Sequence, residues 1–250
     1  MLRATVLCFL VTLQWDFLRA ADLSKVEITF NRYPSVAVIS HIDNWSICGA
    51  TIVAKRLVLT AQACVDDYEP RNVRVTVGQL LEQQVFTAVK FYKYQLGGEK
   101  NDSVSLVEVG SDFQLSQTVK IVALPYGVTK ADMKNLGGSS LLVTDWILNA
   151  WELENKVVSG VLDLDVIYTF IGDDAECMKH DRYQNFICTN TAHNVTLKTV
   201  GGPILFRNYT TGAVKIVAVV TTNSFLERPL VTNSMKVQAM NEWLGYFLKK

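Results

Sequence analysis

Short runs rich in β-branched residues recur along this chain at nearly even spacing. They occupy 36–40, 51–53, 57–60, 73–77, 104–109, 141–144, 161–167, 204–206 and 214–220, with turn residues between them. A branched Cβ restricts χ1 and packs well on a pleated surface, so such runs favour strand over helix. Many short strands of this kind predict an antiparallel all-β barrel or sandwich. Within one run, Val161, Asp163 and Asp165 alternate with Leu162 and Leu164, which predicts one wet face. The chain has 250 residues, 49% of them hydrophobic, enough for one sizeable core. No repeat of solenoid period and no low-complexity linker divides it.

Both ends depart from the strand pattern. At the end of the chain Val237, Met240, Leu244 and Phe247 recur at three- and four-residue intervals beside Trp243. That spacing predicts an amphipathic helix running to Lys249 and Lys250, where cations suit the helix dipole. At the beginning, Arg3 precedes an apolar run from Ala4 to Trp15, and the small residues Ala20 and Ala21 precede Asp22. This is the pattern of a secretory signal peptide over 1–21, leaving a mature domain over 22–250. The run is short of the roughly 20 apolar residues that a membrane span needs, and no later stretch qualifies. Basic and acidic residues number 24 each; loss of Arg3, Arg19 and Asp16 leaves 22 and 23. A near-neutral chain gives no reason to expect nucleic acid as a partner.

Cys8 leaves with the leader, and Cys48, Cys64, Cys177 and Cys188 remain. Four cysteines allow three connectivities, and spacing alone selects none of them. Sequons at Asn44, Asn101, Asn194 and Asn208 suit an exported glycoprotein, with Asn208 ahead of the turn residues Thr211 and Gly212. Lys90, Lys93 and Lys100 lie among Phe91, Tyr92 and Tyr94 and are read as a solvated strand edge. His41, His180 and His193 are expected in exposed loops, not as a base or a metal ligand. No cofactor or metal site is expected.

Several motifs together resemble one family. Cys48-Gly49-Ala50, followed by Leu57-Val58-Leu59-Thr60-Ala61-Gln62-Ala63-Cys64, resembles Cys-Gly-Gly … Val-Leu-Thr-Ala-Ala-His-Cys of the trypsin-like serine proteases. Asn101-Asp102-Ser103-Val104-Ser105-Leu106 resembles the stretch that carries the triad aspartate. Leu124-Pro125 matches the approach to the interdomain crossing. Thr144-Asp145-Trp146 resembles the Gly-Trp-Gly strand. Thr199-Val200-Gly201-Gly202-Pro203 resembles the end of Gly-Asp-Ser-Gly-Gly-Pro. The resemblance spans about 26–250 and implies two antiparallel six-stranded β-barrels closed by a C-terminal α-helix. It also implies Cys48–Cys64 and Cys177–Cys188 disulfides.

The same motifs lack the family's chemistry. The resemblance puts Ala63 at the general base and Val200 at the nucleophile, and keeps only Asp102 of the triad. Amide hydrolysis needs a hydroxyl with a base in hydrogen-bond reach, and a methyl and an isopropyl group supply neither. The oxyanion-hole positions are Lys198 and Val200, with lysine where the family uses glycine. A Cβ hinders the conformation that aims that amide inward, and loss of one such donor costs about 2.7–4 kcal/mol of transition-state stabilisation. Thr199 replaces the aspartate that receives the new amino terminus on activation, and Lys25-Val26-Glu27-Ile28 lacks the family's two glycines, so no activation docking is expected. Asn194 stands at the base of the substrate pocket. Thr221-Thr222-Asn223-Ser224 stands for its glycine-bearing wall. The candidate glycosylation sites are Asn44, Asn194 and Asn208.

A chain of this kind is expected to be secreted and to bind an extracellular protein, a protease or its substrate, as cofactor, adaptor or decoy. Two other readings stay open: an atypical hydrolase with a relocated site, and a bulk protein of an extracellular fluid.

Overall fold

The first β-branched runs close into a barrel. The structure, a computed structural model, describes residues 27–29, 33–42, 47–78, 82–94, 103–125, 141–153, 156–171, 186–191, 199–208, 212–223, 231–236 and 240–249. Six antiparallel strands form the barrel: β2 (Val36–His41), β3 (Ile47–Ala54), β4 (Leu57–Ala61), β5 (Val73–Val77), β6 (Gln84–Tyr94) and β7 (Val104–Val109). They pair in the order β2-β3-β4-β7-β6-β5, and β5 returns to β2.

The second half is built from β1 (Glu27–Thr29), β8 (Leu141–Leu153), β9 (Lys156–Ile171), β10 (Phe186–Thr191), β11 (Pro203–Arg207), β12 (Val214–Asn223) and β13 (Val231–Lys236). These form a seven-stranded sheet, β1-β9-β10-β13-β12-β11-β8, with a further pairing between β9 and β8. Of the two six-stranded antiparallel barrels expected, the first is present and closed. The second half is a sheet of six antiparallel strands to which β1 adds in parallel along β9, with Glu27 opposite Val161. Helix α1 (Asn241–Leu248) ends the chain.

The runs in β2, β4 and β7 are largely apolar because nearly every position on both of their faces is buried. Ala37, Ile39, Val58, Val107 and Val109 fill the barrel interior. Their neighbours Val36, Val38, Leu57, Leu59, Val104 and Leu106 join a second cluster with Leu142, Trp146, Leu205, Ile216, Met240 and Leu244. That second cluster glues the barrel to the sheet and to α1. Leu244 is fully buried, which stabilises by about 1.5–3 kcal/mol. Glu242 lies in the first turn of α1, where a carboxylate suits the positive end of the helix dipole. Trp243 and Phe247 of α1 pack on Tyr94 and Tyr92 of β6, with ring centroids 5.2 and 4.5 Å apart.

The connecting segment after β7 straps the barrel to the sheet. Phe113 N–H donates to Lys55 O over 2.7 Å, Val122 N–H to Ile52 O over 2.9 Å, and Ile216 N–H to Ala123 O over 3.0 Å.

Lys90 and Lys93 lie in the half of β6 that pairs with β7 alone, because the pairing with β5 ends at Thr87. Both are exposed, as expected of a solvated strand edge; Lys100 lies outside the described residues. His41 is not in an exposed loop. It is the last residue of β2 and is 1% exposed. The expected leader over 1–21, Val237, and the side chains of Asp163 and Asp165 lie outside what is described. Among the described residues, no helix is long and apolar enough to cross a membrane.

Candidate functional site

Four backbone segments converge where the two halves meet. The ends of β3 and β4 are joined by a Cys48–Cys64 disulfide with Cα atoms 6.0 Å apart, as the resemblance implied. The turn at 199–202 lies against them. Gly49 N–H donates to Val200 O over 2.8 Å, Gly201 N–H to Val220 O over 2.7 Å, and Val220 N–H to Gly202 O over 2.9 Å. The turn is therefore tied to β3 on one side and to β12 on the other.

Glycine is required for so close an approach. Gly201 has φ +84°, and a Cβ there would overlap Gly49 O and Thr60 Oγ1. Thr60 already donates its hydroxyl to Gly49 O over 2.7 Å. A Cβ on Gly202 would come within 2.7 Å of Thr144 O, and one on Gly49 within 2.6 Å of Gly202 Cα. The seam between barrel and sheet is thus backbone against backbone.

The side chains at this seam offer no nucleophile at the expected position. Val200 is half-buried and packs against the barrel-interior cluster that contains Cys48 and Cys64. Ala63, in the 3-10 turn Gln62–Cys64, exposes a methyl group. The turn is braced by Gln62 Nε2, which donates to Asp66 Oδ1 over 3.1 Å, and by contact of Lys93 Nζ with the same carboxylate.

A carboxylate stands on the opposite wall. Asp145, in β8, is 2% exposed. Its Oδ1 accepts the Thr199 N–H over 2.8 Å, the Thr199 hydroxyl over 2.7 Å and the Trp146 N–H over 3.0 Å. Trp146 N–H also reaches Thr199 Oγ1 over 3.2 Å. Aligning Trp146 on the tryptophan of Gly-Trp-Gly puts Asp145 at that motif's first glycine. The acidic group lacking at Thr199 is supplied by the facing strand instead. A buried carboxylate is tolerated where hydrogen-bond donors replace its water.

An imidazole lies beside Ala63. His41 Nε2 donates to Cys64 O over 2.7 Å, and its ring stacks on Tyr68 with centroids 3.6 Å apart. A nitrogen donating to a carbonyl carries the proton, so Nε2 cannot act as a base while that bond holds. Neither His41 nor Asp145 was singled out as a site residue in the sequence. The β2 run continues in register to His41, and a carboxylate at a glycine of the tryptophan motif is the complement of a hydroxyl at Thr199; those two signals pointed to them.

Asp102, Lys198, Asn194, Asn44, Asn101, Cys177, His180 and His193 lie outside the described residues. Cys188 lies in β10, opposite Asn233 of β13. Asn208 is half-exposed at the β11–β12 turn, where its N–H donates to Ala213 O over 2.9 Å. Among the described residues, no three potential metal ligands cluster.

Comparison with known proteins agrees with this arrangement. The family model described as Trypsin matches residues 24–244. A "Venom serine protease" of Polistes dominula is 26% identical over 214 residues, covering 79% of this chain and 74% of the relative. "Venom serine protease 34" of Apis mellifera is 24% identical over 71% of this chain and 46% of its own length. A "Trypsin" of Sarcophaga bullata is 22% identical over 50% of this chain and 48% of its own length.

Proposed function

Because the chain belongs to the trypsin family, we propose that it is a secreted, non-catalytic serine protease homologue that works by binding an extracellular protein. The observation that carries this reading is the packing of Val200. At the nucleophile position an isopropyl group lies on the barrel interior, and the Val200 carbonyl accepts from Gly49. The exposed methyl of Ala63 stands where a base is needed. Hydroxyl attack on an amide has neither partner there.

The rest of the site supports a scaffold role. Thr199 is held by Asp145, so the segment that precedes the nucleophile position is ordered by contacts within the chain. Its ordering does not call on a newly cut amino terminus. The pairing of β8 with β9 joins the two sides of the seven-stranded sheet, and we read its six antiparallel strands as the family's second barrel. Rigid barrels present loops that can dock a protein without chemistry. The Cys48–Cys64 bridge suits an oxidising compartment, as does the venom named for two relatives. A protease or protease substrate is the partner this reading expects, with the chain as cofactor, adaptor or decoy.

Purified mature protein is incubated with a broad panel of peptide and ester substrates and a fluorophosphonate probe. The expected result is neither turnover nor labelling; either one overturns the reading. Crosslinking in the fluid of origin is expected to recover a stoichiometric partner, whereas recovery of none favours a bulk protein.

One observation favours a second reading, a hydrolase with a relocated site. The buried imidazole of His41 reaches the same turn as Ala63. Turnover by the native chain that disappears in His41→Ala would establish it.

A further inference from the structure

The barrel carries a second recess, at the opposite end of its strands from the degenerate site. Ala61 and Tyr94 pair with Val104 at the end near the Cys48–Cys64 bridge; Leu57 and Lys90 pair with Glu108 at the other. Four residues of strand put the two ends about 13 Å apart. At that far end lies a groove of about 900 Å³, walled by the β3–β4 turn, β6, β7, the connecting segment and the end of α1.

The charges of one wall are already satisfied. Arg56 donates to Val109 O from Nε over 3.2 Å and from Nη2 over 3.1 Å, and to Gly110 O over 3.3 Å. Its Nη2 lies 3.7 Å from Glu108 Oε1. Tyr92 donates its hydroxyl to Glu108 Oε2 over 2.7 Å. Arg56, Glu108 and Tyr92 thus form a rigid wall with compensated charge.

What is left for a ligand is cationic and apolar. Lys55 is exposed in the β3–β4 turn, and Lys90 Nζ lies 4.8 Å above the Tyr92 ring. Against these two ammonium groups, Asp112 brings one carboxylate to the rim. Beside them Ile121 is 40% exposed and Tyr246 62% exposed, large apolar surfaces facing solvent. The segment that carries Asp112 and Ile121 is pinned by the Phe113–Lys55 and Val122–Ile52 backbone bonds. Its walls are therefore preformed, which limits the ordering cost of binding.

We propose that this groove is a docking site for an extended segment of a partner protein in which acidic side chains flank an aromatic or branched apolar one. Lys55 and Lys90 meet the carboxylates, while Ile121 and Tyr246 take the apolar group. The site rests on the binding role proposed above and gives that role a surface, away from the cleft.

The test is fluorescence polarisation with two labelled peptides, GDFEIG and its basic counterpart GKFKIG, titrated with the full mature chain. The acidic peptide is expected to bind saturably and to weaken as salt rises; the basic one is not expected to bind. Joint Lys55→Glu and Lys90→Glu substitution is expected to weaken the acidic peptide at least about tenfold. Both side chains are exposed, so the fold tolerates the change, and an unchanged melting temperature checks it. Tyr246→Ser is expected to weaken binding while leaving its salt dependence unaltered. No saturable binding, equal binding of both peptides, or indifference to the lysine reversals overturns the proposal. So does a dimer that the lysine reversals dissolve, which would assign the groove to a second copy. Hydrolysis by the native chain would refute the non-catalytic reading and leave this titration untouched; a flat titration would remove the groove and leave that reading standing.

Discussion

The Thr199 hydroxyl donates to Asp145 Oδ1 over 2.7 Å, and the Thr199 amide donates to the same oxygen over 2.8 Å. One carboxylate oxygen thereby holds the backbone and the side chain of the residue that precedes Val200. Together with the Trp146 amide it fastens the turn to β8, in the half of the molecule opposite the Cys48–Cys64 bridge.

Asp145→Ala is therefore expected to destabilise the chain by about 2–4 kcal/mol, since buried donors lose their acceptor at about 1–3 kcal/mol each and part of that is recovered by relaxation. Thr199→Val, which removes one hydroxyl, is expected to cost about 1 kcal/mol. Urea unfolding of both single variants and the double variant checks this. The two losses are expected to be non-additive by about 0.5–3 kcal/mol, and additive losses would mean that the residues act independently.

Gly201 and Gly212 both have positive φ, +84° and +69°, but only Gly201 faces backbone where a Cβ would go; Gly212 has nothing within 4 Å. Gly212→Ala is expected to cost about 1 kcal/mol, from the left-handed conformation alone. Gly201→Ala adds overlap with Gly49 O and Thr60 Oγ1 and is expected to cost at least about 3 kcal/mol. Thermal and urea midpoints of the two variants, measured side by side, separate conformational strain from collision.

Joint Ala63→His and Val200→Ser substitution is expected to leave peptide hydrolysis undetected. The variant regains a base and a hydroxyl, but Thr199 stays bonded to Asp145, and Lys198 keeps its Cβ at the position that the proposed reading gives to the oxyanion hole. Appreciable turnover of a peptide substrate by the double variant would show that those two positions are permissive.

The hydrogen bond from Tyr92 to Glu108, followed by burial and by the Glu108 charge, raises the Tyr92 phenol above its usual value. A raised pKa means that the folded state favours the neutral phenol. That contribution is complete below the unfolded value near 10 and is lost as pH rises through the folded value. Glu108→Gln is expected to bring Tyr92 ionisation back toward ordinary tyrosine. The check is an absorbance titration of phenolate, with Tyr92→Phe to identify the band.

Much of the barrel could be read from the chain because 36–40, 57–60, 73–77 and 104–109 are rich in β-branched residues, and β2 and β4 are buried on both faces. Strand β6 was legible only around Lys90 and Lys93, as a solvated edge; its first half, which pairs with β5, mixes polar and apolar side chains. Strands β10 and β13 escaped notice because Phe186–Thr191 and Val231–Lys236 are largely polar, and pairing with neighbours outweighs composition there. At the site, the Cys48–Cys64 bridge was legible from the motif around it. The Asp145–Thr199 bond was not, since it joins residues 54 apart in sequence and each looks like an isolated loss when read alone. The burial of His41 depends on the ring of Tyr68 and on the Cys64 carbonyl, contacts that no local pattern announces.

The meeting of Gly49, Gly201 and Gly202 has a bearing on how such chains are diagnosed. Three positions without side chains act as a mechanical joint, and that joint is needed whether or not a bond is ever cut beside it. Finding Gly-Gly-Pro in a chain of this fold thus reports that its halves are fitted together. It carries no information about turnover, and activity has to be judged from the side chains on either side of the joint.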